Sequence, residues 1–413
     1  MTILKTVLKT LVEPRARSIG QGIQRFFIST LVLCFISTLA LADNKHRLSP
    51  RVQNLLLQAQ QVFVIPAKEN KKTATGTNTN IDTTTNDEAT SSTEPTPKQL
   101  TEQSAAAVVK LQTLSLNDYE QALFHKIQAS IALHQSNYEE ALIQFEKAWK
   151  INIFEASEQR KLQHIVSQLA FNQEDWKKTI QLMEDWLIYS NLQVIAHKKA
   201  EEQAAASSEN QKKDTPKTLI ISAEDYLILA QSYAKLEQWS SVIDPITKAI
   251  SLKDPAPESW YQLALATHQQ LKQDNETVAL LKTILPIYPK MQYWEQLAAI
   301  YHKTEKFDHA LAALRAAHLG GYMEKESHFI WLAQLAMRQN NPLRGAEALS
   351  AAIQNGQIKS NKANLKLLAN AWLLARHYKE SYATIDQLLK IEPNNKESQK
   401  LQQQVAQYIN RQE

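Results

Sequence analysis

The residues able to do chemistry in this 413-residue chain are few and scattered. His302, His309 and His318 form the nearest thing to a histidine cluster. Zinc would need several such ligands on one surface, each oriented by a carboxylate or carbonyl partner, and no fixed carboxylate or thiolate accompanies these. Neighbouring acids such as Glu139-Glu140 and Glu201-Glu202 would have to meet in one cleft to act as general acid and base. In polar stretches they read instead as solvated helix faces. No nucleophile elbow, Walker loop, dinucleotide fingerprint or HExxH zinc helix occurs. Seven glycines leave little material for phosphate-cradling loops. Recognition is the chemistry left to such a chain, with no enzyme activity, cofactor or metal expected.

A recognition surface has to be held by larger elements, and here they repeat at about 35 residues. In the clearest copy Trp294, Leu297, Ala298, Tyr301, Phe307, Ala310, Leu314 and Ala317 fall at spacings of three, one, three, six, three, four and three. Leu365, Leu368, Ala369, Trp372, Tyr378, Ile385 and Leu388 repeat the pattern, with Pro393 where a second helix must stop. Tyr226, Leu229, Ala230, Tyr233, Trp239, Val242, Ile246 and Ala249 form an earlier copy. Weaker copies open at Trp260, with Leu263 and Ala264, and at Phe329, with Leu332, Ala333 and Ala336. This is the tetratricopeptide spacing. Each copy is two antiparallel helices, A and B, whose alanines let the backbones approach while aromatics fill the wedge between turns. Neither helix buries its apolar face alone, so the copies stack, and the expected fold is an all-α helical solenoid. Fainter copies lie upstream, at Tyr138, Ala141, Phe145 and Ala148, then at Trp176, Ile180, Met183 and Trp186.

The ends and interruptions set the expected domains. Residues 1–42 carry Lys5, Lys9, Arg15, Arg17 and Arg25, then an apolar run from Phe26 that closes on Ala40-Leu41-Ala42. That is the layout of a cleavable secretory signal; the alternative is an uncleaved signal anchor facing the periplasm, the run being near the minimum for a span. Cys34, the only cysteine, lies inside it, so a mature chain has no thiol. The leader also holds the whole formal charge of +4, leaving the rest near neutral. No basic stripe with interleaved aromatics remains, so nucleic acid is not an expected partner, and membrane contact is confined to an uncleaved leader. Residues 43–66 are expected to contain one helix and 67–104, rich in Thr, Asn and Ser, to be disordered. Degenerate repeats follow over 105–190, a linker over 191–222 and the main array over 223–413. Ser222 with Asp225 has the form of a capping box at the start of that array.

In the repeat register the helix-A residues between wedge positions face inward. They are Glu224, Leu227 and Gln231; Tyr261 and His268; Gln292, Glu295 and His302; Ile330, Gln334 and Met337; Lys366 and Asn370. Polar with some apolar anchors, they suit an extended peptide or a helix laid along a groove.

The segment from Tyr293 to Ile385 resembles the tetratricopeptide component of TonB energy-transduction systems. Tyr293-Trp294, Gly320-Gly321 with Glu324, Pro342 with Gly345-Ala346, Asn355-Gly356 and the stretch from Asn364 through Ala371 carry the resemblance. It implies a periplasmic accessory whose concave face binds TonB, ExbB or ExbD-type proteins during energised uptake of iron siderophores or haem. The family has no catalytic residues to transfer. The repeats alone equally allow a general envelope scaffold for outer-membrane or peptidoglycan assembly; a ligand-binding protein or enzyme would need convergent polar residues that the sequence does not show.

Overall fold

The computed structural model describes residues 48–64, 97–206 and 221–411. Every regular element among them is helical, with 17 α-helices and no strand. The proposed leader at 1–42 lies outside the described residues. The chain divides into two compact units, Met1–Gln238 and Trp239–Glu413.

The first unit contains α1 (Pro50–Gln60), which ends in a 3-10 turn (Gln61–Val64), α2 (Pro97–Gln112), α3 (Asp118–His134), α4 (Tyr138–Ile151), α5 (Ala156–Asn172), α6 (Trp176–Ala206) and α7 (Ala223–Lys235). Side-chain caps start several of them: Asn117 and Ser222 each close a capping box, with Glu120 and Asp225, and Asn137 caps α4. The expected boundaries shift here. Residues 97–104, expected to be disordered, are helical, because α2 buries Ala107 and Leu111 against Leu55, Leu56 and Ala59 of α1. Ser104 Oγ also donates to the Ala59 carbonyl at 2.6 Å. The partner of α1 thus stands after the polar insertion, whose residues 65–96 lie outside the described ones. The expected linker starts too early as well, since α6 runs on through Ala206. The array boundary expected at 222/223 moves to 238/239, which places α7 in the first unit.

The second unit contains α8 (Trp239–Ser251), α9 (Glu258–Gln270), α10 (Asp274–Ile284), α11 (Met291–Lys303), α12 (Phe307–Leu319), α13 (Glu326–Arg338), α14 (Pro342–Gln354), α15 (Lys362–Leu374), α16 (Tyr378–Ile391) and α17 (Lys396–Asn410). Odd-numbered helices are A helices, and each of α7, α9, α11, α13 and α15 is 13 residues long. Pro342 starts α14 where its missing N–H costs nothing. Pro393 lies exposed past the end of α16.

Within a hairpin the eighth residue of helix A meets the fourth of helix B. Ala298, Ala333 and Ala369 are buried, as are Ala310, Gly345 and Ser381. A Cβ on Gly345 would stand 3.0 Å from Ala333 Cα and 3.0 Å from Ala336 Cβ, and Ser381 Oγ donates to the Ala369 carbonyl at 3.0 Å. Leu229, Ala230, Tyr233, Leu297, Tyr301, Ala317, Leu368 and Trp372 are buried too, whereas Tyr226, Trp294, Phe307 and Tyr378 are half-buried.

Turns between A and B share one geometry. Ser136, Glu174, Glu237, Lys272, Glu305, Asn340 and Arg376 are left-handed, with φ between 54° and 61°. The following N–H closes each turn onto the carbonyl five residues back, as in Lys306 to Tyr301 at 2.8 Å and His377 to Trp372 at 2.9 Å. This is the Schellman cap, with an ordinary side chain where glycine is usual.

Neighbouring A helices are tied by a polar group at the third helical position, buried at each one except the half-buried Glu158. In the first unit Glu120 accepts from Ser49 N and Oγ at 3.0 and 2.9 Å. Glu158 pairs with Lys126. Asp225 Oδ1 lies 2.6 Å from His164 Nε2, whose ring stacks on Trp186 with centroids 3.9 Å apart. In the second unit Tyr293 OH donates to Glu258 at 2.7 Å and Asn364 Nδ2 to Glu326 at 2.7 Å; His328 occupies the same position opposite Glu295. Apolar contacts fix how close the helices come, while these rungs fix the register in which consecutive repeats dock.

Candidate functional site

The surface expected to recognise a partner is built from the A helices, and the second unit presents it on α11, α13 and α15. Each helix is held by its wedge residues on one side and its rung on another, which leaves one strip outward. Gln292, Glu295 and His302 are exposed on α11, Gln334 on α13 and Asn370 on α15; Ile330, Met337 and Lys366 are half-exposed. Gln334, Lys366 and Asn370 make no hydrogen bond among the described residues and keep their donors for another molecule. Gln292 reaches back to Glu258 at 3.4 Å, and Lys290 holds the other oxygen of that carboxylate at 2.6 Å.

Two expected strip residues are not available. Tyr261 is buried, its ring edge-on to Tyr288 with centroids 6.1 Å apart, and burial pushes its phenol pKa up. Leu227 is buried as well. Both occupy positions where the neighbouring apolar surface closes over the helix, a tertiary effect that register counting does not register. His268 is half-buried, with Nδ1 2.7 Å from Gln273 Oε1, and so serves its own hairpin. On α7, in the first unit, Glu224 and Gln231 are half-buried.

Around the expected His302 the structure adds Trp331 and Arg338, which sequence reasoning passed over. His302 stands edge-on to Phe307 at 5.1 Å and to Trp331 at 6.3 Å between centroids. The Arg338 guanidinium lies 3.6 Å from the Phe307 centroid. His302, Trp331 and Arg338 thus form an aromatic and cationic platform around Phe307 that can take an apolar or acidic side chain. Their signal was positional: Trp331 follows the inward Ile330 by one residue, and Arg338 ends its helix as Lys303 does.

Electrostatics on the strip are mild. Burial pulls the His328 pKa down, against the pull of Glu295 in the other direction, and the ring is neutral near pH 7. Lys325 N–H donates to its Nδ1 at 3.4 Å, which leaves the ring proton on Nε2, 3.8 Å from Glu295. Glu295, exposed, is therefore not neutralised by its neighbour. Tyr293 is pushed up to about 12 by burial and by its bond to Glu258, and stays a donor. His318, one of the three histidines considered as metal ligands, is half-buried edge-on to Phe329. No group of three or more His, Cys, Asp or Glu side chains able to hold a metal occurs among the described residues, and no described helix is long and apolar enough to cross a membrane.

The sequence matches no known family profile and no curated protein. Among solved structures the chain is similar to the TPR2AB-domain:pHSP90 complex of yeast Sti1, at 12% identity, covering 70% of this chain and 96% of that one, with a TM-score of 0.35. It is also similar to YrrB, a TPR protein with an unusual peptide-binding site, at 13% identity over 50% of this chain and 98% of that one, TM-score 0.30. A tetratricopeptide repeat protein from Parabacteroides merdae matches at 13% identity over 67% and 92%, TM-score 0.29. The tetratricopeptide character of this chain is carried by its own 13-residue A helices, left-handed turns and small-residue contacts.

Proposed function

We propose that this chain is a non-catalytic scaffold that binds a protein segment along the A-helix strip of its second unit. The observation that carries the reading is the row of outward polar side chains on three successive A helices, Glu295, Gln334, Lys366 and Asn370, set beside the His302, Trp331 and Arg338 platform. Such a row offers spaced hydrogen bonds to an extended or helical segment, with an aromatic anchor at one end. The finer reading is a periplasmic accessory of a TonB, ExbB and ExbD system serving uptake of iron siderophores or haem. Its support is the resemblance of 293–385 and the export layout of residues 1–42.

The test is crosslinked affinity capture of the tagged chain from iron-starved Gram-negative cells, run beside the triple variant Glu295→Ala, Gln334→Ala, Lys366→Ala. Recovery of TonB, ExbB or ExbD-type proteins that is lost in the folded variant is the expected result. Recovery of outer-membrane or cell-wall assembly factors would replace the transport reading with the assembly one. Partners retained in full by the variant would remove the strip as the binding surface.

A further inference from the structure

The long helix α6 carries a second surface that the repeat does not need. Helix B elsewhere is 11 to 16 residues long, but α6 has 31. Its inner face packs Leu182, Met183, Trp186, Leu187 and Ser190 into the first unit. Its contacts with α7 are antiparallel: Tyr233 OH donates to Glu184, and Asn191 Nδ2 donates to Tyr226 OH at 3.1 Å. Extended in that register, the start of α7 at Ala223 falls level with about residue 194, and α6 continues some three turns beyond it. On the opposite face Ile188, Leu192 and Ile195 are 61%, 60% and 62% exposed.

These apolar residues belong to a longer seam. Asp185, Ile188, Leu192, Ile195 and Lys199 follow one another at three, four, three and four residues, the spacing of a coiled-coil stripe. Both end residues are exposed, and neither forms an ion pair among the described residues. Leu192 is the midpoint: Asp185 lies seven residues before it and Lys199 seven after. A second α6 laid antiparallel across the first at Leu192 therefore sets Asp185 against Lys199 of the other copy, twice. Ile188 and Ile195 fill the layers between. The stripe is electrically complementary to itself only in this sense, because a parallel pair would oppose like charges.

We infer that this face of α6 is a homodimer interface, occupied by α6 of a second copy in antiparallel register. From Asp185 to Lys199 the seam is about 21 Å long. One helix face of that length buries on the order of 1,000 Å² in total, the low end for a specific contact, so the dimer is weak and concentration-dependent. The inference is independent of the partner strip on the second unit.

Sedimentation equilibrium of the full chain across the micromolar range tests it. The expected result is a monomer–dimer equilibrium that Leu192→Glu abolishes with helicity unchanged, since Leu192 is exposed in the monomer. Asp185→Lys and Lys199→Asp should each weaken association about tenfold by opposing like charges across two contacts. Mixing these two variants should restore it as a heterodimer, and the weakening of each variant alone marks the antiparallel register, because a parallel pair opposes like charges already in the unchanged chain. A chain that stays monomeric throughout overturns the inference. So does a dimer indifferent to Leu192→Glu, or one lost in the charge variants and not recovered on mixing.

Discussion

In the first unit the acid of each rung stands on the later repeat, while in the second it stands on the earlier one. Glu120, Glu158 and Asp225 are themselves the third residues of their helices and reach back to Ser49, Lys126 and His164. In the second unit Tyr293, His328 and Asn364 hold that position and face Glu258, Glu295 and Glu326. Both arrangements place one polar contact between successive A helices. They differ in what answers the acid: an ammonium, Lys126, holds the half-buried Glu158 in the first unit, while an uncharged phenol, Tyr293, holds the similarly exposed Glu258 in the second.

That difference sets the largest expected effect. Lys126 and Glu158 have side chains 9% and 21% exposed. Lys126→Met leaves the Glu158 carboxylate with only the surface Lys161 nearby, at 3.5 Å, and should cost about 3 kcal/mol or more. Tyr293→Phe removes one bond to a carboxylate that keeps Lys290, and should cost about 1 kcal/mol. Hydrogen exchange followed peptide by peptide checks both. Protection should fall over α3 and α5 in the first variant and only slightly over α9 and α11 in the second; equal losses would show that the two kinds of rung are energetically alike.

Acid sharpens the same contrast. Burial works to raise Glu158 and Asp225, but Lys126 beside the one and His164 and Ser222 beside the other more than offset it, and both pKa values lie below their ordinary values. Glu120 is lowered likewise, its burial outweighed by bonds from Ser49 and Asn117. A depressed carboxyl contributes its full stability above the unfolded-state value near pH 4 and loses it as pH falls through the folded value. Of the acids lowered in the second unit, Asp308 is exposed beside His309, and only Glu392, paired with Lys362, is half-buried. Pepsin digestion at decreasing pH should therefore open the first unit before the second. Asp225→Asn with Glu158→Gln should make the first unit weaker at neutral pH and less pH-dependent. First cleavage within the second unit would reverse the assignment.

Much of the fold was legible because the repeat writes its close contacts in residue size. Ala298, Ala310, Ala333 and Ala369 mark where A and B touch, and no other reading of their spacing buries them all. The rungs were not legible, since Glu158, Tyr293, His328 and Asn364 share a position but no residue type, and their partners on the preceding A helix, Lys126, Glu258, Glu295 and Glu326, share no one position along it. Boundaries failed for a related reason. The polar composition around 97–104 and 191–206 argues against order only until a neighbouring apolar surface, or an extension of a well-packed helix, supplies it. The strip was half legible: register located Glu295, Gln334 and Lys366, but closure over Tyr261 and Leu227 depends on packing that a single repeat does not encode.

The smallest expected effect lies in the turns. Seven A–B turns place Ser, Glu, Lys, Asn or Arg in the left-handed region, whereas the B–A turns at Gly321 and Gly356 use glycine, with φ of 72° and 71°. A side chain in that region costs about 1 kcal/mol, partly regained because a non-glycine residue restricts the unfolded chain. Glu305→Gly should thus stabilise the second unit by about 0.5 kcal/mol, and Asn340→Gly by less, since asparagine tolerates this conformation better. Gly321→Ala should destabilise by about 1 kcal/mol although open space surrounds its missing Cβ. Urea midpoints of the three variants separate backbone strain from packing: a loss of stability in Glu305→Gly would mean that its side chain does more for the turn than its φ angle costs.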